Sequence, residues 1–159
     1  LILSAVVSLI FYGAIQNEQI ASIKDRSNLL SGFINKGITD NYIDSAYYGA
    51  LSATVFSGGG DSARVTLISN DGTVFFDNKV NAATLENHAG REEFIKAIDT
   101  GSGEATRYST TLGSVTYYYA VRLDDGNVLR VSKQLSRNIG VFTSVLPPVI
   151  LVTALIRLL

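Results

Sequence analysis

Two uncharged apolar runs enclose a middle region whose hydrophobic positions recur with a changing period. No charged residue lies between Leu1 and Asn17 or between Asn138 and Ile156. From Gln16 to Lys36 the spacing predicts a helix: Ile20, Ile23, Leu30 and Ile34 fall near heptad-seam positions, and Leu29 and Phe33 widen the apolar face. That seam is also the expected surface for pairing with a second copy. Gly37 should weaken the helix, and Thr39-Asp40-Asn41 offers caps for a second one running through Tyr48 and Leu51. Ser57-Gly58-Gly59-Gly60 reads as a flexible joint. With no Gly-Lys-Ser/Thr after it, it is not a phosphate cradle.

Beyond the joint the period drops to two. Arg64 to Ser69 predicts a strand, Asn70-Asp71-Gly72 a tight turn, and Thr73 to Asp77 the returning strand. A short helix is expected from about Arg91 to Asp99, closed by Gly101, with Glu92 and Glu93 in the first turn where the helix dipole favours carboxylates. Three strands follow, Glu104 to Ser109, Ser114 to Arg122 and Asn127 to Lys133, the last two joined at Asp124-Asp125-Gly126. Val115, Tyr117, Tyr119 and Val121 share one face of the middle strand, so its tyrosines read as packing residues with their hydroxyls at the margin. The predicted class is α+β, an antiparallel five-stranded sheet with long N-terminal helices on one face. This order resembles the PAS-like (PDC or single-Cache) domains of bacterial extracytoplasmic sensors.

The ends change the picture from a free domain to an anchored one. Crossing roughly 30 Å of hydrocarbon takes about 20 residues of helix. Ile139 to Ile156 supplies eighteen uncharged residues, flanked by Arg137 and Arg157, which can snorkel to opposite interfaces. Three segments are expected: residues 1–15 as a first transmembrane helix cut short, 16–137 as an extracytoplasmic PAS-like sensor domain, and 138–159 as a second transmembrane helix. Arg157 favours a cytoplasmic C-terminal end, which puts the sensor domain outside the cell at the plasma membrane. Pro147 and Pro148 lack N–H groups, so the carbonyls of Thr143 and Ser144 lose their helical partners and a hinge is expected near Leu146. The chain has no Met and begins inside an apolar run, as a piece of a longer protein would.

All but one of the 13 basic residues and all 14 acidic ones lie between Gln16 and Arg137. So balanced a domain offers no attraction for nucleic acid or an anionic surface. The absence of Cys excludes disulfides, thiolate metal sites and Cys nucleophiles.

Ile68-Ser69-Asn70-Asp71-Gly72-Thr73-Val74, then Asp77, Glu86-Asn87-His88 and Arg91, resemble the extracytoplasmic sensor domain of phosphate-regulation-type histidine kinases from Gram-positive bacteria. The likeness continues through Gly101-Ser102-Gly103, Arg107-Tyr108-Ser109 and Leu129-Arg130-Val131-Ser132, and departs at Arg91-Glu92-Glu93, where the family often has Arg-Pro-Glu. The resemblance implies the input region of a homodimeric two-component receptor. Its cytoplasmic part, absent from this chain, would autophosphorylate on His and pass the phosphate to a response regulator. Rival readings are an input domain for a chemoreceptor or a cyclic-dinucleotide enzyme, and a non-signalling membrane-anchored module.

Candidate chemistry is sparse. Any metal site at the sole histidine, His88, would need carboxylates such as Asp77 or Glu86 as its other ligands, and no His/Asp/Glu spacing resembles a ligand cluster, so no metal is expected. Asp77, Asn87, His88 and Arg91 read as a structural motif, with Asn87 and His88 bonding the loop and capping the helix that begins near Arg91. There is no Gly-x-Ser-x-Gly and no Ser or Asp partner for the histidine, so neither catalysis nor a cofactor is expected within the chain. Arg107, Arg122 and Arg130 lie on successive strands. They are candidates to converge on a small anion or carboxylate, with Tyr108 and Tyr119 lining the same place.

Overall fold

The computed structural model describes residues 2–40, 44–57, 63–109 and 114–135, together with positions 147, 148, 151 and 154. The first helix, α1 (Ile2–Thr39), is continuous, and α2 (Ser45–Val55) folds back against it. Gly37 does not interrupt α1. Its missing side chain admits the Tyr47 ring of α2, whose Cε1 would lie 2.9 Å from any Cβ placed there. The cap of α2 is Asp44, which accepts from the Tyr47 N–H at 2.8 Å, rather than the expected Thr39-Asp40-Asn41. Thr39 is still part of α1 and donates its hydroxyl to the Asn35 carbonyl.

Five strands form one antiparallel sheet: β1 (Arg64–Ile68), β2 (Val74–Asp77), β3 (Ser102–Ser109), β4 (Ser114–Arg122) and β5 (Val128–Leu135), in the order β2-β1-β5-β4-β3. Every neighbouring pair is antiparallel. Between β2 and β3 the chain makes a short 3₁₀ turn (Ala82–Thr84) and the helix α3 (Glu92–Thr100), which ends at Gly101 in the left-handed region, φ 92°.

Alternation of side chains along the strands gives the sheet two covered faces. On one, Val65, Leu67, Tyr117, Leu129, Val131 and Leu135 pack against Ile23, Leu30 and Ile34 of α1, with α2 residues at the margin. The seam expected to pair with a second copy is therefore occupied by this chain's own sheet, and Leu29 and Phe33 are left exposed. On the other face, Ile68, Val74, Ala120 and Val128 pack against Phe94 and Ala97 of α3.

Among the described residues no helix is long and apolar enough to cross a membrane. Near the N-terminal end of α1, Val6, Val7, Leu9, Ile10 and Phe11 are all exposed. The expected segment 138–159 lies almost wholly outside the described residues. Pro147 and Pro148 are exposed helical positions, but Thr143, Ser144 and Leu146 of the expected hinge fall outside.

Candidate functional site

Positions directly opposite in an antiparallel ladder share a face, so the register states which residues meet under α3. One row runs Asp77, Thr66, Arg130, Ala120 across β2, β1, β5 and β4. The next runs Arg64, Ser132, Tyr118, Ala105. Thr116 and Arg107 form part of a third. Three arginines, the Tyr118 ring and the hydroxyl residues Thr66, Ser132 and Thr116 thus share one side of the sheet, and α3 lowers a carboxylate onto them. Gly103 makes that descent possible: a Cβ there would come within 2.6 Å of the Lys96 Cβ and closer still to the Glu93 carbonyl.

Glu93 is fully buried and pairs with Arg107 through Oε2, while its Oε1 faces Arg130 Nη1 at 3.5 Å. Arg130, only 4% exposed, also reaches the Thr66 hydroxyl at 3.4 Å. Both guanidinium groups lie over the Tyr118 ring, Arg107 at 4.3 Å and Arg130 at 5.6 Å from its centroid. Asp77 is fully engaged elsewhere. One of its oxygens accepts from Arg64 Nε and the Thr66 hydroxyl, each at 2.8 Å, and the other from the Lys79 and Val80 N–H groups. Burial works to raise the Asp77 pKa, but the bonds from Lys79, Arg64 and Thr66 outweigh it and hold the carboxyl below its usual range. The Arg130 pKa is lowered as well, but here the charged form is the one disfavoured: burial lowers it most, Glu93 only partly opposes this, and Arg64 and Arg107 add to the fall.

Three buried polar atoms around this cluster have no hydrogen-bond partner, namely Arg130 Nε, Glu93 Oε1 and His88 Nδ1. Buried polar groups are rarely left so, and here they surround one charged centre. His88 is buried beside it, and burial followed by the charges of Arg130, Arg91 and Arg64 pushes its pKa down to about 4, so the imidazole is neutral at pH 7.

The expected sites divide. Arg107 and Arg130 do converge. Arg122 does not, because it donates to the Ile98 carbonyl at the far end of α3, 3.2 Å away. Tyr108 is exposed, and Tyr119 belongs to the α1 face, where its hydroxyl meets Asn28 Oδ1 at 3.4 Å. Both have the wrong parity, since Arg107 is opposite Thr116 and shares the face of Tyr118. Asn87 and His88 do not cap α3: its N-cap is Arg91, with no side-chain bond. They fasten the loop to the β1–β2 turn instead, Asn87 donating to the Asp71 carbonyl at 3.0 Å and the His88 N–H to the Gly72 carbonyl at 2.8 Å. Arg91 sits near exposed Glu86 at 4.0 Å.

Glu93, Thr66, Arg64 and Tyr118 are not among the candidate site residues that the sequence suggests. A signal for Glu93 was present, a carboxylate four residues before Ala97 on the apolar side of an amphipathic helix. On the opposite face Lys24 pairs with Glu104 at 2.6 Å, and the Tyr117 hydroxyl donates to the same carboxylate. The Lys24 bond, then the Tyr117 bond, hold the Glu104 carboxyl below its usual range. Among the described residues no group of three or more His, Asp or Glu gathers that could hold a metal ion.

No protein-family model matches the chain, and no curated protein matches it. Among solved structures it is similar to the extracellular domain of rpHK1S-Z16, a protein assigned as a histidine kinase, with 21% identity and TM-score 0.43 over 58% of this chain. It is also similar to the Bacillus subtilis YkuI protein, which has an EAL domain and was crystallised with cyclic di-GMP and calcium, with 12% identity and TM-score 0.45 over 76% of this chain. The chain spans 38% of the first neighbour's length and 35% of the second's.

Proposed function

We propose that this chain is the signal-sensing input region of a membrane-bound sensor histidine kinase of the phosphate-regulation type. In this reading residues 16–137 form a PAS-like domain outside the cell, between membrane segments at 1–15 and 138–159. The observation that carries it is the continuity of α1. One helix runs from an exposed apolar stretch, Val6 to Phe11, into the core of the sheet at Ile23, Leu30 and Ile34. Exposed apolar side chains in series are costly in water and favourable in a bilayer. A rigid helix that is lipid-facing at one end and core at the other couples the domain mechanically to the membrane. Further support comes from the strand order β2-β1-β5-β4-β3, which a PAS-like sheet requires, and from the charged cluster under α3. A homodimer would pair through the side of α1 that carries exposed Leu29 and Phe33.

The absence of Cys provides the test. Ser45, exposed at the start of α2, is changed to Cys in the full chain expressed in cells. A membrane-impermeant maleimide should label S45C in intact cells, and the protein should resist extraction by alkaline carbonate. Labelling only after lysis, or release by carbonate, overturns the reading. A chimera with this chain in place of the input region of a known sensor kinase then tests whether it controls autophosphorylation.

A further inference from the structure

Among residues 79–90, which lead from β2 to α3, one is buried, and it is the only histidine of the chain. Ala82 and Leu85 reach the core only at its margin. The far half of this loop is fastened to the β1–β2 turn by His88 and its neighbour Asn87. The His88 N–H donates to the Gly72 carbonyl at 2.8 Å, and the Asn87 amide to the Asp71 carbonyl at 3.0 Å. The fit is close: a Cβ on Gly72 would come within 2.4 Å of Asn87 Oδ1 and of the Ala89 nitrogen. The His88 carbonyl also accepts from the Arg91 N–H at 3.0 Å, so one residue holds both the loop and the entry to α3.

The charges around this residue do not balance. The His88 ring faces Arg130 of β5, Arg64 of β1, Arg91 at the cap of α3 and Glu93 in its first turn. Glu93 is shared between Arg107 and Arg130, and Asp77 of β2 is taken by Arg64, Thr66, Lys79 and Val80. Asp71 of the turn accepts from the Thr73 N–H, and Glu86 is exposed beside Arg91. Among the described residues no carboxylate is left to compensate a proton on the ring, and its Nδ1 is buried without a partner.

We propose that residues 85–91 are an acid-released latch: falling pH protonates His88 in solvent, the ring stays out, and the loop and the entry to α3 come away from the β1–β2 turn while the sheet stays folded. A proton taken up inside would put a further cation among three guanidinium groups, whereas in water it meets no such cost. The ring has a pKa of about 4 in the closed loop and about 6.5 when released, so opening is favoured as pH falls below 6.5 and the effect saturates near 4. Between pH 7.5 and pH 5 this linkage raises the ratio of open to closed loop about 25-fold. Release also frees the turn that carries Arg91 and Glu93, and so loosens the charged cluster from above. The latch does not depend on where the domain lies; only its use as an acid stimulus rests on the sensing role proposed above.

The test uses the full chain in detergent micelles at pH 7.5 and pH 5, with amide hydrogen exchange corrected for the intrinsic effect of pH. The amides of His88, Ala89 and Arg91 should lose protection about 25-fold at pH 5, while those of β4 and β5 keep theirs. H88Q, which cannot take up the proton, should show equal protection at both pH values. If H88Q does not fold, the single histidine resonance of the native chain decides, and it should titrate well below 6.5. Loop protection that pH does not alter, or a pH effect that H88Q retains, overturns the proposal. So does an equal loss of protection in β4 and β5, because the whole domain then opens rather than the latch, and so does an imidazole that titrates near 6.5.

Discussion

The two charged partners under α3 should respond very differently to removal. Replacing Glu93 by Gln keeps its shape and deletes its charge, which leaves Arg107 and the buried Arg130 without their shared anion. Breaking a buried ion pair in this way costs about 3–5 kcal/mol, because a charge remains out of water uncompensated. Replacing Arg130 by Met is the opposite case. At 3.5 Å and an effective dielectric constant of about 20, the attraction to Glu93 amounts to roughly 5 kcal/mol. The burial cost of the guanidinium, several kcal/mol, and repulsion by Arg64 and Arg107 oppose it. Glu93 keeps Arg107, Met fills most of the volume, and the cluster becomes neutral. R130M should therefore cost about 1 kcal/mol or less. Urea unfolding followed by far-ultraviolet circular dichroism, at matched ionic strength, measures both. A cost for R130M equal to or above that for E93Q would mean that Arg130 is fully compensated, and the charge imbalance would have to be abandoned.

Other consequences can be checked on the same samples. Because the folded-state pKa of His88 lies near 4, below the 6.5 of a free imidazole, the unfolded chain takes up its proton first as pH falls. Stability from this group is complete above about pH 6.5 and declines by on the order of 2–3 kcal/mol toward pH 4; H88Q should flatten that part of the unfolding profile. His88 Nδ1 has no partner, so H88Q at pH 7.5 should cost only packing, about 1 kcal/mol. G103A forces a Cβ against the Glu93 carbonyl and Lys96 and should cost about 1–3 kcal/mol, seen as a lower thermal midpoint. Y117F removes a hydrogen bond to an ionised carboxylate and should cost about 1–2 kcal/mol, with a rise in the Glu104 pKa detectable by NMR titration.

The elements were legible because each carries its own local signal: seam spacing for α1, period-two runs for the strands, Gly101 for the end of α3. The site was legible only in half. Arg130 is conspicuous as a charge between Leu129 and Val131, and Arg107 as the one basic residue of β3. Which tyrosine joins them is a question of register, and a shift of one residue exchanges Tyr118 for Tyr119. Neither composition nor periodicity fixes that register, since it depends on where the β3–β4 connection turns. The helix dipole accounts for a carboxylate at Glu93 but says nothing of its burial. Its burial follows from Gly103 on another element, and no local pattern links the two. The cap of α2 was misplaced for a related reason, because α1 continues through Thr39 and leaves the task to Asp44.

The same alternation that divided the tyrosines also joins the two faces of the sheet. On β4, Tyr118 lies beneath Arg107 and Arg130, while its neighbours Tyr117 and Tyr119 reach Glu104 and Asn28 on the α1 side. On β3, Arg107 and Gly103 face α3, and Glu104 between them is held by Lys24 of α1. A strand is stiff over so few residues, so β3 cannot shift under α3 without moving the carboxylate that Lys24 grips. Lys24 lies on the helix whose other end carries Val6 to Phe11. The charged cluster and the apolar end of α1 are therefore connected through two adjacent strands and one ion pair. A perturbation under α3 should therefore be felt on α1: G103A should change hydrogen exchange in residues 16–30 of α1, and K24Q should weaken that change. A response to G103A that survives intact in the K24Q background removes Lys24 from the path.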